Sequence, residues 1–165
     1  MEETHRELSL QGYCGALLVP ATAALFDYYK KMGYQNASCL RRIALTAQGE
    51  KIAVQRISAQ AYAQKRRALL PPDAVWQEGE SLDFLQTLAA FYETDDGIFA
   101  LQTDRSEARI LELLGDAKIA PRLLAAFGCK RGELCVAGEG EPFSMFLPLK
   151  DEKPSLPRYF AFAFD

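Results

Sequence analysis

A four-residue apolar run held between a glycine and a proline, followed by a helical stripe stopped by another glycine, constrains this chain more than any other stretch. Ala16-Leu17-Leu18-Val19, bounded by Gly15 and Pro20, has the pattern of a buried strand. Thr22 is placed as a helix N-cap, and Leu25, Tyr28, Tyr29 and Met32 follow at i, i+3, i+4 and i+7. Gly33 ends the stripe where a helix takes a left-handed residue. The reading is a strand, a tight turn and a helix of about three turns, which suits an α/β protein and by itself names no activity.

The totals bound the rest. With 165 residues, 49% hydrophobic and 25% charged, the chain is long and apolar enough for one ordinary domain or two small, tightly joined halves. The net charge of −3 argues against a general nucleic-acid binder. Residues 1–57 carry seven Lys/Arg against five Asp/Glu, whereas residues 58–165 carry twelve against seventeen. That acidic second half either attracts a cationic substrate such as an amine or simply solubilises the surface. No apolar run is long enough to span a bilayer and no signal-peptide core is present, which predicts a cytoplasmic protein without membrane contact. Cys14, Cys39, Cys129 and Cys135 are scattered, read as reduced thiols, and His5 is the sole histidine. A histidine triad or a metal site is therefore not expected.

The identities within Leu25-Phe26-Asp27-Tyr28-Tyr29-Lys30-Lys31-Met32-Gly33-Tyr34 go further. The segment resembles the last helix of the GNAT acetyltransferase core, in which a Tyr precedes a Gly-aromatic pair by four residues. The resemblance implies a mixed, mostly antiparallel sheet flanked by helices, with acetyl-CoA as the acyl donor and an amine, small molecule or peptide, as acceptor. It implies that Tyr29 reprotonates the leaving thiolate; the bland alternative is an aromatic that packs its helix on the sheet. Leu17, Leu18 and Val19 would offer backbone groups to the pantetheine arm. Thr22, where the family often has Asn, is grouped with them at the cofactor. In some two-unit relatives the chain terminus enters the first unit's site, which makes the carboxylate of Asp165 a candidate catalytic group. The family's pyrophosphate loop is missing. Gln11-Gly12-Tyr13-Cys14-Gly15-Ala16 comes closest, but Cys14 stands where a Gly is required and a strand follows instead of a helix.

The chain thus enters the fold late, as though the front half of a core were absent, and residues 1–57 read as the C-terminal part of such a core. Residues 39–45 and 52–57 are expected to form an antiparallel hairpin, with Arg41 and Arg42 guarding an exposed edge. Residues 58–165 read as a second GNAT-like unit. Ser58 caps a helix ended by Pro71-Pro72, and Ser81 begins another in which Leu82, Leu85, Leu88, Ala89 and Tyr92 share a face. Trp76 lies between them, as a ligand platform or as core filling. Asp95-Asp96-Gly97 turns into strand 98–103. Residues 108–114 fit strand or helix, with a strand favoured. Residues 119–127 form a short helix, and strands are expected at 133–136, 143–147 and 159–164. Glu78, Glu80, Asp95 and Asp96 are acids with no spacing that selects one as a base. The rival to an enzyme is a non-catalytic binding or dimerisation module. A half-core with an exposed sheet edge also predicts a homodimer.

Overall fold

The computed structural model describes residues 1–104, 106–150 and 155–160. Helix α1 (Glu2–Leu10) leads into strand β1 (Gly15–Leu18), then helix α2 (Ala23–Lys31), β2 (Gln35–Asn36), β3 (Cys39–Thr46) and β4 (Gln55–Arg56). Helices α3 (Ala59–Leu69) and α4 (Glu80–Leu85) follow, then β5 (Ala90–Thr94), β6 (Gly97–Asp104) and β7 (Glu107–Gly115). A single 3-10 turn opens α5 (Ala120–Ala126), and β8 (Arg131–Ala137), β9 (Glu141–Pro142) and β10 (Met145–Pro148) complete the described strands. The strand and helix expected over residues 16–32 both form, and Gly33 ends α2 with φ at 90°.

The strands make two sheets, one ordered β1-β10-β2 and the other β4-β5-β6-β7-β8-β3-β9. All named pairings are antiparallel except β7 with β8, which α5 connects as a crossover. This is the mixed, mostly antiparallel sheet flanked by helices that the sequence led us to expect. Gly132 stands where β7 and β8 run side by side, and a Cβ there would collide with the carbonyl of Ala108.

The two sheets exchange strands. β3 leaves the small sheet after β2 and enters the large one between β8 and β9, while β10 leaves the large sheet after β9 and inserts between β1 and β2. Strands from residues 1–57 and from residues 58–165 therefore lie in both sheets. The two crossings are clasped to each other. Ala37 N donates to the Ser144 carbonyl and Phe143 N to the Ser38 carbonyl, each at 2.9 Å. The buried hydroxyls of Ser38 and Ser144 meet at 2.6 Å.

Two expectations are corrected. Residues 39–57 do not form a hairpin: β3 pairs with β8 and β9, whereas β4 pairs with β5. β9 covers only Cys39 and Leu40 of β3, so at Arg41 and Arg42 the strand has β8 on one side and none of the described strands on the other; the two arginines pair with Glu139 at 3.3 Å and Glu133 at 3.6 Å. The helix read through Tyr92 ends at Leu85, and residues 90–94 form β5 with Phe91 fully buried. A helical spacing of Leu and Ala is cheap to produce by chance; a β-rich Phe-Tyr pair facing a hydrogen-bonded neighbour is what decides the conformation.

The large sheet carries the core. One cluster joins Tyr62, Leu82, Leu85, Phe91 and Leu114 beneath α3 and α4, and another joins Phe99, Ile110, Leu123, Leu124 and Leu134 beneath α5. By contrast, neither α1 nor α2 contains a buried residue.

Candidate functional site

Among the described residues β1 lies at the edge of its sheet, with β10 on one side only. An edge strand leaves alternate backbone N–H and C=O groups unpaired and ready to receive an extended partner. Beside it opens a cavity of about 410 Å³ lined by Leu17, Leu18 and Val19 from β1 and its C-terminal flank, by Val75, Trp76, Gln77 and Ser81 from the α3–α4 connection, and by Phe160. The lining is mostly apolar with one buried amide, Gln77, which suits an apolar arm or acyl group with few fixed polar contacts.

The wall opposite β1 is held from below. Arg66 on α3 is 1% exposed and Glu112 on β7 is 0% exposed. They form a two-pronged ion pair, with Arg66 Nε donating to Glu112 Oε2 at 2.7 Å and Arg66 Nη2 to Oε1 at 3.0 Å. Tyr62 Oη donates to the same carboxylate at 2.8 Å and Tyr159 Oη at 3.2 Å. Arg66 also reaches out of the pair: Nη1 donates to the Val75 carbonyl at 3.3 Å and Nη2 to Gln77 Oε1 at 3.4 Å. Burial and the Glu112 carboxylate raise the Tyr62 and Tyr159 phenols above the usual tyrosine range. For Arg66 burial acts downward, but the carboxylate overrides it and the guanidinium stays charged.

A bulge in β7 makes this pair possible. Ala100 pairs with Glu112 and Leu101 with Ile110, so Leu111 is an extra residue. Ala108 and Ile110 join the cluster under α5, whereas Leu114 joins the one under α3. Without the extra residue, Glu112 would follow Ile110 onto the α5 face; with it, the carboxylate turns toward α3 and Arg66.

The sequence-derived candidates do not all converge. Leu17, Leu18 and Val19 share the cavity. Thr22, the residue before α2, makes no side-chain cap and lines a neighbouring hollow of about 640 Å³ with Phe26, Asp27 and Lys30; Val19 borders both spaces. Tyr29 lines neither and sits half-buried in an aromatic group, with ring centroids 5.3 Å from Tyr28 and 5.6 Å from Tyr34. Tyr34 Oη lies 2.9 Å from His5 Nε2. Burial and the neighbouring Tyr29 raise the Tyr34 phenol. Asp165 lies outside the described residues. Trp76 is 60% exposed, so it fills no core; Arg67 stacks over its ring at 5.0 Å and is tied in turn to Glu78. Sequence reading missed Glu112, whose pairing with Arg66 spans 46 positions and leaves no local signal.

A groove of about 810 Å³ lies elsewhere, on a face of the large sheet near residues 107–109 and 131–133. Its charges answer one another, with Glu133 to Arg109 at 3.1 Å and Glu107 to Arg131 at 2.9 Å. Among the described residues, no helix is long and apolar enough to cross a membrane.

No family model and no curated protein matches the sequence. Solved structures do match in shape. A GCN5-related N-acetyltransferase from Kribbella flavida aligns with a TM-score of 0.59 and 18% identity over 90% of this chain and 47% of that one. A GCN5-related N-acetyltransferase from Anabaena variabilis gives 0.58 and 16% over 90% and 49%, and Eis1 from Mycobacterium abscessus 0.53 and 12% over 89% and 50%. The chain thus spans about half the length of these structures. With 18% identity or less, the likeness is one of architecture, and the chain has the fold of the GCN5-related N-acetyltransferases.

Proposed function

We propose that this chain contributes the acyl-thioester channel of an N-acetyltransferase that uses acetyl-CoA as substrate and an amine, small molecule or peptide, as acceptor. The observation that carries the proposal is an edge strand, β1, opening on an apolar cavity and followed directly by the tyrosine-bearing helix α2. The pantetheine arm pairs along β1 at Leu17 to Val19, with Thr22 at the start of α2 beside it. The amine nitrogen attacks the thioester carbonyl to give a tetrahedral intermediate, and the C–S bond then breaks. Tyr29 gives its proton to the departing sulfur. The proton lost by the ammonium goes to a carboxylate, for which Asp165 is our candidate.

The pyrophosphate is a different matter. The helix preceding β1 carries Glu2 and Glu3 in its first turn, and these charges repel an anion at a helix N-terminus. The β1 cavity therefore suits the pantetheine arm, while the start of α1 offers the phosphates no favourable helix end. This reading places the protein in the cytoplasm, where acetyl-CoA is made and used, and its open β1 edge makes a homodimer the expected assembly.

The test is release of free coenzyme A thiol from acetyl-CoA in the presence of a panel of amines. Amine-dependent release that falls in Tyr29→Phe supports the reading. No amine-stimulated release above the uncatalysed background contradicts it and leaves a binding module on an acetyltransferase fold.

A further inference from the structure

One buried, heavily hydrogen-bonded side chain, Arg66, is not used by the proposed chemistry. Arg66 is buried, and a buried guanidinium is tolerated only when its donors are satisfied. Four of its contacts are hydrogen bonds to three partners beyond its own helix, and they divide by direction. Two go down to Glu112, itself fully buried on β7 in the interior of the large sheet. Two go up to the Val75 carbonyl and the Gln77 side chain, both in the wall of the β1 cavity. A third wall residue is governed from the same anchor, because Tyr159 donates to Glu112 and Phe160 follows it in the chain. On its outer side the connection is held by Arg67, which stacks over Trp76 and pairs with Glu78, and at its start by Arg158 N to the Asp73 carbonyl, Val75 N to the Tyr159 carbonyl and the bridge between Ala74 and Tyr159. Arg66 adds the tie from the buried side.

We infer that Arg66 is a positioning residue: it transfers the rigidity of β7, through Glu112, to the Val75–Gln77 wall and so sets the width of the cavity beside β1. A planar fork is required for this. Lysine in the same place supplies one charge to Glu112 but cannot also span the Val75 carbonyl and Gln77. The inference rests on the proposal that the β1 cavity receives the acyl donor, but the wall's mobility is measurable without any ligand.

Trp76, the sole tryptophan, sits between the two tethered residues and reports on them directly. Fluorescence anisotropy decay of the full chain is expected to show Trp76 moving mainly with overall tumbling. In Arg66→Lys the amplitude of the fast, local component rises about twofold or more, while the far-ultraviolet circular dichroism is retained. Gln77→Leu, which leaves the Arg66–Glu112 pair intact, raises it by less, with the circular dichroism again retained. An unchanged fast component in Gln77→Leu and in a folded Arg66→Lys overturns the inference, and so does an unchanged component in Gln77→Leu if Arg66→Lys does not fold. Titration with acetyl-CoA separates the two claims. Weaker binding in both variants, about tenfold for Arg66→Lys, joins wall position to ligand affinity. A wild-type chain that binds no acetyl-CoA refutes the proposed function, while the anisotropy result still decides the role of Arg66.

Discussion

The two sheets of this molecule are built to different standards. Beneath α3 and α5 the large sheet buries Phe91, Phe99, Ile110 and Glu112 completely, and every charge inside is answered. Among the described residues the small sheet has three strands, and the helices beside it, α1 and α2, bury no residue fully. Stability is concentrated in one region and accessible backbone in the other. An edge strand with a half-open cavity is only durable when something rigid holds its far wall, and here the large sheet provides that through Arg66. The strand exchange at Ser38 and Ser144 ties the same two regions together at a second point.

Disrupting the rigid side has the largest expected effect. Glu112→Gln leaves the buried guanidinium of Arg66 without its counter-charge, and should lower unfolding free energy by about 3–5 kcal/mol in urea denaturation. A loss below about 1 kcal/mol would show that the pair carries little weight in the large sheet. The clasp between the regions comes next. Ser38→Ala removes the 2.6 Å bond to Ser144 and the 3.3 Å bond to the Phe160 carbonyl, for an expected loss of about 1–3 kcal/mol by the same assay.

Alkaline pH probes the same contrast. The Tyr62 and Tyr159 phenols are raised in the folded state, so between the ordinary tyrosine value of about 10 and their folded values the unfolded chain has lost protons that the folded chain retains. Their contribution is fully present below about pH 10 and is lost as pH climbs above it, each group adding a slope of about 1.4 kcal/mol per pH unit. Tyr159→Phe should flatten the decline above pH 10, measured by denaturant titration at several pH values; an unaltered slope would contradict the buried network. On the thin side, Tyr29→Phe should have the smallest effect on stability, about 0.5 kcal/mol or less, because the Tyr29 hydroxyl bonds to no described residue. Turnover, if the catalytic role is right, should fall about a hundredfold.

What could be read from the sequence follows the range of the interactions involved. The β1–α2 unit, the Ser58 cap that accepts from Ala61 N at 3.2 Å, and the Asp95-Asp96-Gly97 turn between β5 and β6 are decided within a few residues, and all were legible. Residues 108–114 fit two periodicities, and pairing with β6 and β8 made them part of a strand. The strand exchange was not legible, since nothing near Cys39 says that its partner is β8 and not the adjacent residues 52–57. Nor was the site's support: the bulge at Leu111 is visible only once β6 is paired with β7, and without it Glu112 faces the wrong way. Of the candidate site, Leu17 to Val19 could be selected as a strand, but the wall of Val75 to Gln77 that turns the strand into a cavity comes from a connection with no motif.

The central claim is that β1 and its facing wall receive an acyl thioester. The most direct measurement is a titration of the isotopically labelled chain with acetyl-CoA, followed by amide chemical shifts. The account predicts saturable shifts at Leu17, Leu18 and Val19 together with Val75, Trp76 and Gln77, and none along the charged groove at Arg109 and Glu133. Shifts confined to that groove, or none at β1 at saturating acetyl-CoA, would contradict it.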